Sequence, residues 1–290
     1  MDPIVDTGLL LIRKLRAQRV NASGADFLML RAAEDLAERL STTARRFPKA
    51  AIIATATNAA RDVLRASGKV DEIIDIALHP SLLGPDGGIV AAPETVPLAP
   101  QSIDLAVSLL SLHETNDLPG MLVQIRRSLK PDGLFLAALA GGGTLAELRE
   151  SLLAAETEIA GGASPRVLPF ADIRDAGGLL QRAGFALPVA DLETVTVRYE
   201  SMFGLMRDLR AMGATNALLS RSRRPVGRRY FVRAAEIYAE RFSDPDGRVR
   251  ATFAIAWLSG WAPDASQQKP LRPGSATVSL ARILGDDSGR

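Results

Sequence analysis

Ser102-Ile103-Asp104-Leu105-Ala106-Val107-Ser108-Leu109-Leu110 is the stretch on which the fold turns. A strand with one wet face alternates apolar and polar residues. Apart from Asp104 and Ser108 this run is apolar on both sides of the pleat, which predicts a strand covered on both faces at the centre of a parallel sheet. Upstream, Ala50 to Ala56 is a short uncharged run followed by Asn58 and a helical Ala59 to Ala66, and Val70 to Leu78 reads as a second strand. Further back, Phe27, Leu28, Leu30, Leu36 and Leu40 recur among charges at helical spacing between Ala25 and Phe47, before Pro48.

Downstream, Asn116 to Leu129 carries Leu118, Met121, Leu122, Ile125 and Leu129 on one helical face, with Asn116 or Asp117 as N-cap ahead of Pro119. Pro131-Asp132-Gly133 turns into a strand at Leu134 to Leu139. Gly141-Gly142-Gly143 opens a helix through Leu153, and another helix spans Asp172 to Ala183. Strands alternating with helices at this spacing imply right-handed crossovers and a doubly wound, Rossmann-like α/β sheet. The later chain differs. Ala190 to Tyr199 alternates as an edge or antiparallel strand, Met202 to Met212 and Tyr230 to Phe242 are helical, and Thr252 to Trp261 is a last strand with Trp257 and Trp261 on one face. The expected organisation is an N-terminal helical segment (1–48), a core (49–200 and 250–285), and a helical insertion (201–249) acting as a lid over the carboxyl ends of the parallel strands.

Composition narrows the chemistry. The 290 residues are 47% hydrophobic and 23% charged, enough for one α/β core, and no run is long and apolar enough to span a bilayer. With no cysteine and only His79 and His113, thiolate chemistry, disulfides and a histidine-rich metal centre are excluded. Met1-Asp2-Pro3-Ile4-Val5-Asp6 lacks the charge order of a secretory leader, so the expected compartment is the cytoplasm. Arg221, Arg223, Arg224, Arg228 and Arg229 form a local basic loop. It reads as a solvated loop or as a site for an acidic protein face or RNA, and no interleaved aromatic residues favour nucleic acid.

Several stretches together resemble one family. They are Ser102 to His113, Asn116-Asp117-Leu118-Pro119, Leu129 to Phe135, Gly141-Gly142-Gly143-Thr144-Leu145-Ala146-Glu147-Leu148-Arg149, Met202 to Gly213 and Gly274-Ser275-Ala276-Thr277-Val278-Ser279. The chain is similar to class I S-adenosylmethionine-dependent methyltransferases, in the branch containing the complex I assembly factor described as an arginine hydroxylase. It is more distantly similar to the malonyl-carrier-protein methyltransferase of biotin synthesis. The resemblance implies a methyltransferase sheet, S-adenosylmethionine as cofactor, and a protein substrate or assembly client.

It also assigns positions. In the family an acid ends the first strand and a glycine-rich turn follows. Here Ile52 stands at the acid, and Ala54, Ala56 and Asn58 stand at the glycines. Each added Cβ in such a turn costs about 1 kcal/mol, and losing a carboxylate partner for the cofactor's ammonium costs about 1.5–3 kcal/mol. Asp75 matches the acid that takes the ribose hydroxyls. Ala92 stands where an acid meets the adenine, with Glu94 nearby to replace it, and Ser111 completes the cofactor contacts. Gly143 replaces an acid of the assembly-factor branch. His113, just past the central strand, is placed as a general base or substrate contact, or else as a capping or packing residue.

The expectation is therefore a methyltransferase-fold protein with little or no methyl transfer and an assembly or scaffold role. The alternative is an active methyltransferase, or arginine-hydroxylase relative, with a loop rebuilt around Asn58, Asp75 and Glu94. An RNA-binding module using the arginine loop ranks third.

Overall fold

The computed structural model describes residues 2–54, 56–162 and 164–268. Gly274 to Ser279, and the end of the core expected at 250–285, lie outside the described residues. Among the described residues the seven strands are β1 (Lys49–Ile53), β2 (Glu72–Ala77), β3 (Gly88–Val90), β4 (Ile103–Leu109), β5 (Leu129–Ala140), β6 (Ala186–Tyr199) and β7 (Val249–Trp261), in the order β3-β2-β1-β4-β5-β7-β6. The first five are parallel neighbours. β7 runs antiparallel to β5 on one side and to β6, the edge strand, on the other.

The apolar run that decided the fold is central, and every residue of β4 is buried. Its pleat divides the core in two. Leu105 and Val107, with Ala50 and Ile52 of β1, pack against α2 (Phe27–Thr42) and α3 (Ala59–Ala66). Ala106, with Ala51 and Ile53, packs toward α4 (Leu118–Ser128) and α6 (Ile173–Arg182) on the opposite face. Each fully buried Leu or Ile here contributes roughly 1.5–3 kcal/mol. Trp257 and Trp261 of β7 both meet the α2 side, as their spacing requires. A third apolar cluster joins α5 (Ala146–Ala160), α7 (Met202–Ala211) and α8 (Arg228–Phe242) to β7, and α1 (Thr7–Val20) packs along α7.

The structure departs from the sequence reading in four places. β1 stops at Ile53 because Ala54 turns into the left-handed region at φ 57°. β3, only three residues long, sits inside what reads as a Pro/Gly-rich connection. Pro131-Asp132-Gly133 belongs to β5, whose register against β4 shifts there while Asp132 takes φ 58°. α5 starts at Ala146 rather than at the glycines, because Gly143 and Leu145 have φ of 92° and 55°. Gly141 is a packing residue: a Cβ there would lie 3.0 Å from Leu192 Cδ1 and 3.2 Å from Ala256 Cβ. The α4 cap is Asp117, whose Oδ1 accepts from Gly120 N at 2.8 Å. Asn116 instead takes both the Ile4 and Val5 amides at 2.7 Å, stitching the N-terminal segment to the end of the sheet.

Candidate functional site

The carboxyl ends of β1, β4 and β5 open into a cavity of about 950 Å³, roofed by α1, α7 and the segment after α7. The carboxyl ends of the parallel strands are where open α/β sheets hold ligands. Three backbone positions around this rim carry non-glycine residues in the left-handed region: Ala54, Leu110 (φ 48°) and Leu145. Leu110 and Leu145 line the cavity directly.

His113 sits in a single 3₁₀ turn, Leu112–Glu114, directly after β4, and lines the cavity. Its Nδ1 accepts from Ala140 N, at the end of β5, at 3.3 Å, and its ring tilts against Phe170 at 5.8 Å. Burial pushes its pKa down to about 4; Glu114 opposes the shift and Lys14 adds to it. The imidazole is thus neutral at pH 7, and the bond to Nδ1 selects the tautomer with its proton on Nε2, a hydrogen-bond donor. Beside it, Lys14 Nζ of α1 pairs with Glu114 Oε2 at 2.6 Å, both side chains nearly buried. Arg166, on the same wall, is held by two bonds to Glu156 (2.9 and 2.8 Å) and lies 4.7 Å above the Tyr230 ring. Arg210 lines the opening, exposed and without an ion pair among the described residues.

Of the expected cofactor contacts, Ala56 and Asn58 reach the cavity, and Asn58 precedes α3 without a side-chain cap bond. Ala54 is tied beside it, its amide donating to Ile76 O at 2.8 Å. Ile52 is 4% exposed within the apolar core. Ser111 is buried below the rim, its Oγ donating to Leu109 O at 3.1 Å. Asp75 and Glu94 are not on the cavity wall. Asp75 is buried and pairs with Arg61 of α3, while its Oδ2 also accepts from Gly84 N at 2.7 Å. Glu94, at φ 61°, points its Oε1 to Asn116 N at 2.5 Å. The residues present therefore do not fit an adenosyl cofactor: both candidate carboxylates are committed to protein partners, and the first-strand turn has no glycine.

Lys14 and Arg61 carry much of this arrangement and were not singled out by their sequence context, and Asn116, read there as a candidate cap, instead donates its amide to Glu94. Only Arg61 had a signal: helical spacing puts it three residues before buried Leu64, on the edge of an apolar stripe. The arginine loop splits. Arg221 pairs with Asp6 at 3.2 Å, whereas Arg223, Arg224, Arg228 and Arg229 are exposed with no ion pair among the described residues.

Comparison with known proteins agrees with the fold. A family described as a methyltransferase domain matches residues 51–137. The mitochondrial arginine-hydroxylase NDUFAF5 of Dictyostelium discoideum is 48% identical over 189 residues, 65% of this chain but only 43% of that protein. The chain thus spans less than half the length of that relative. The NDUFAF5 of Mus musculus is 40% identical over 264 residues, 89% of this chain and 77% of its own. Among solved structures, the YcgJ protein of Bacillus subtilis superposes with a TM-score of 0.53 at 12% identity, covering 80% of this chain and 99% of that one, a likeness of fold.

Proposed function

The chain belongs to the NDUFAF5 arginine-hydroxylase family, and from that membership we propose that it is an assembly-type protein that holds part of a protein client and does not transfer methyl groups. The observation that carries this reading is that neither Asp75 nor Glu94 reaches the cavity, although the cavity itself is open and large. A fold that keeps its substrate side and loses its cofactor contacts suits holding better than methylation. The client is a protein, in line with the resemblance to a respiratory complex I assembly factor, and residues 201–249 serve as the lid over it. Among the described residues no helix is long and apolar enough to cross a membrane.

Titration of the purified protein with S-adenosylmethionine tests the reading. A ligand at 100 times its Kd adds about 2.7 kcal/mol to stability, so millimolar cofactor should leave the melting temperature unmoved. Micromolar affinity would defeat the proposal. A second reading, modification of an arginine in that client, is supported by the name its relatives carry and by the polar wall of His113, Lys14 and Glu114. Recovery of an oxygenated arginine in a co-expressed client, seen by mass spectrometry, would favour it.

A further inference from the structure

Arg61 carries a full charge yet is 2% exposed, at a place where its helix faces the end of β2. Its Nη2 donates to Asp75 and its Nη1 to Asp86 Oδ2 at 2.6 Å, and Arg65 reaches the same Asp86 carboxylate. Two arginines and two aspartates make a neutral group of four. The loop after β2 is drawn down onto it: Gly84 N bonds Asp75 Oδ2, and any Cβ at Gly84 would collide with both Arg61 and Asp75. Only glycine lets the backbone come so close. Arg61 Nε is meanwhile buried without a hydrogen-bond partner, so the guanidinium is held for its two carboxylate contacts rather than for full satisfaction.

We propose that Arg61 is a built-in occupant of the subsite against Asp75, a guanidinium seated where a nucleoside's vicinal hydroxyls would otherwise bind. The inference rests on the preceding reading and deepens it, because it names Arg61, and not the glycine-poor turn at Ala54 to Asn58, as the main barrier to a nucleoside ligand. Hydroxyls are neutral donors, and a charge-assisted bond is roughly twice as strong as a neutral one. The ligand would also have to leave Arg61 buried with one partner fewer.

The test is calorimetric titration with S-adenosylhomocysteine of four proteins: the unaltered chain, Ala54→Gly/Ala56→Gly/Asn58→Gly, Arg61→Ala, and the combination. Arg61→Gln replaces Arg61→Ala if thermal melting shows the latter unfolded. Binding should appear only where Arg61 is replaced, with the combination at least tenfold tighter than the triple-glycine protein. Millimolar methylguanidinium, refilling the vacated subsite, should weaken that binding. The inference fails if the glycine substitutions alone bind as tightly as the combination, if the folded combination does not bind, or if methylguanidinium does not compete. Binding by the unaltered chain would defeat the client-holding reading as well, so the two failures are distinguishable.

Discussion

Lys14 of the first helix reaches across the cavity wall to Glu114 at the end of the central strand, Nζ to Oε2 at 2.6 Å, with the two side chains 12% and 9% exposed. The N-terminal helix is therefore clamped to the sheet by charge as well as by packing. Removing one partner of such a pair strands the other charge in a dry site, at a cost of about 3 kcal/mol. Lys14→Ala and Glu114→Ala should each approach that loss in urea denaturation, while Lys14→Met/Glu114→Leu should lose far less. A double-mutant cycle showing no coupling would remove the clamp from the account.

His113 sets an acid limit on stability. Its pKa in the folded chain is depressed, through burial, to about 4, below the ordinary 6.5. Between those values the unfolded chain binds a proton that the folded chain refuses, so stability falls as pH drops from about 6.5 toward 4, by about 3 kcal/mol at most. His113→Gln should flatten that part of the stability profile. An unchanged slope would show that other groups carry it.

Ala54 and Leu145 share a left-handed backbone but should respond oppositely to glycine. Ala54 has only a methyl group to lose, so Ala54→Gly should gain about 0.5–1 kcal/mol. Leu145 is 7% exposed in the third core cluster, so Leu145→Gly should lose about 2 kcal/mol or more despite the relieved strain. Thermal unfolding of the two variants reads the contrast directly.

Asn116→Ala should free the chain start. Its Oδ1 accepts from both Ile4 and Val5, and its Nδ2 donates to Val5 O at 3.2 Å. The expected loss is about 1–2 kcal/mol, with hydrogen exchange accelerated at the Ile4 and Val5 amides. Unchanged exchange there would mean that the Val5–Leu218 bridge and the Asp6–Arg221 pair hold the segment without Asn116.

The fold was legible where hydrophobic pattern decides structure. Ile103 to Leu109 read as a strand buried on both faces and is one, and the alternation of Ala190 to Tyr199 read as an edge or antiparallel strand and is both. β3 was not legible because Gly88-Ile89-Val90 is too short for a period and is a strand only through its pairing with Asp75 to Ala77. The site was less readable, because side-chain partners are long-range facts. Asp75 stands in the expected place along the chain, yet its role is set by Arg61, fourteen residues earlier, and by the backbone of Gly84. Glu94 was expected near the adenine, but a left-handed backbone turns it to Asn116 instead.

The position of β7 between β5 and β6 has a consequence for synthesis. As the chain leaves the ribosome, β6 emerges with no neighbour in the sheet, and the outer edge of β5 stays unpaired until residues 249–261 arrive. The same late strand supplies the carbonyls that Gly141 and Leu145 bond, Ala254 O at 2.8 Å and Thr252 O at 2.7 Å. β7 is thus the keystone. A nascent chain halted at Ser243 lacks not one strand but the attachment of two, exposes an apolar edge open to wrong pairing, and leaves the cavity without one of its walls.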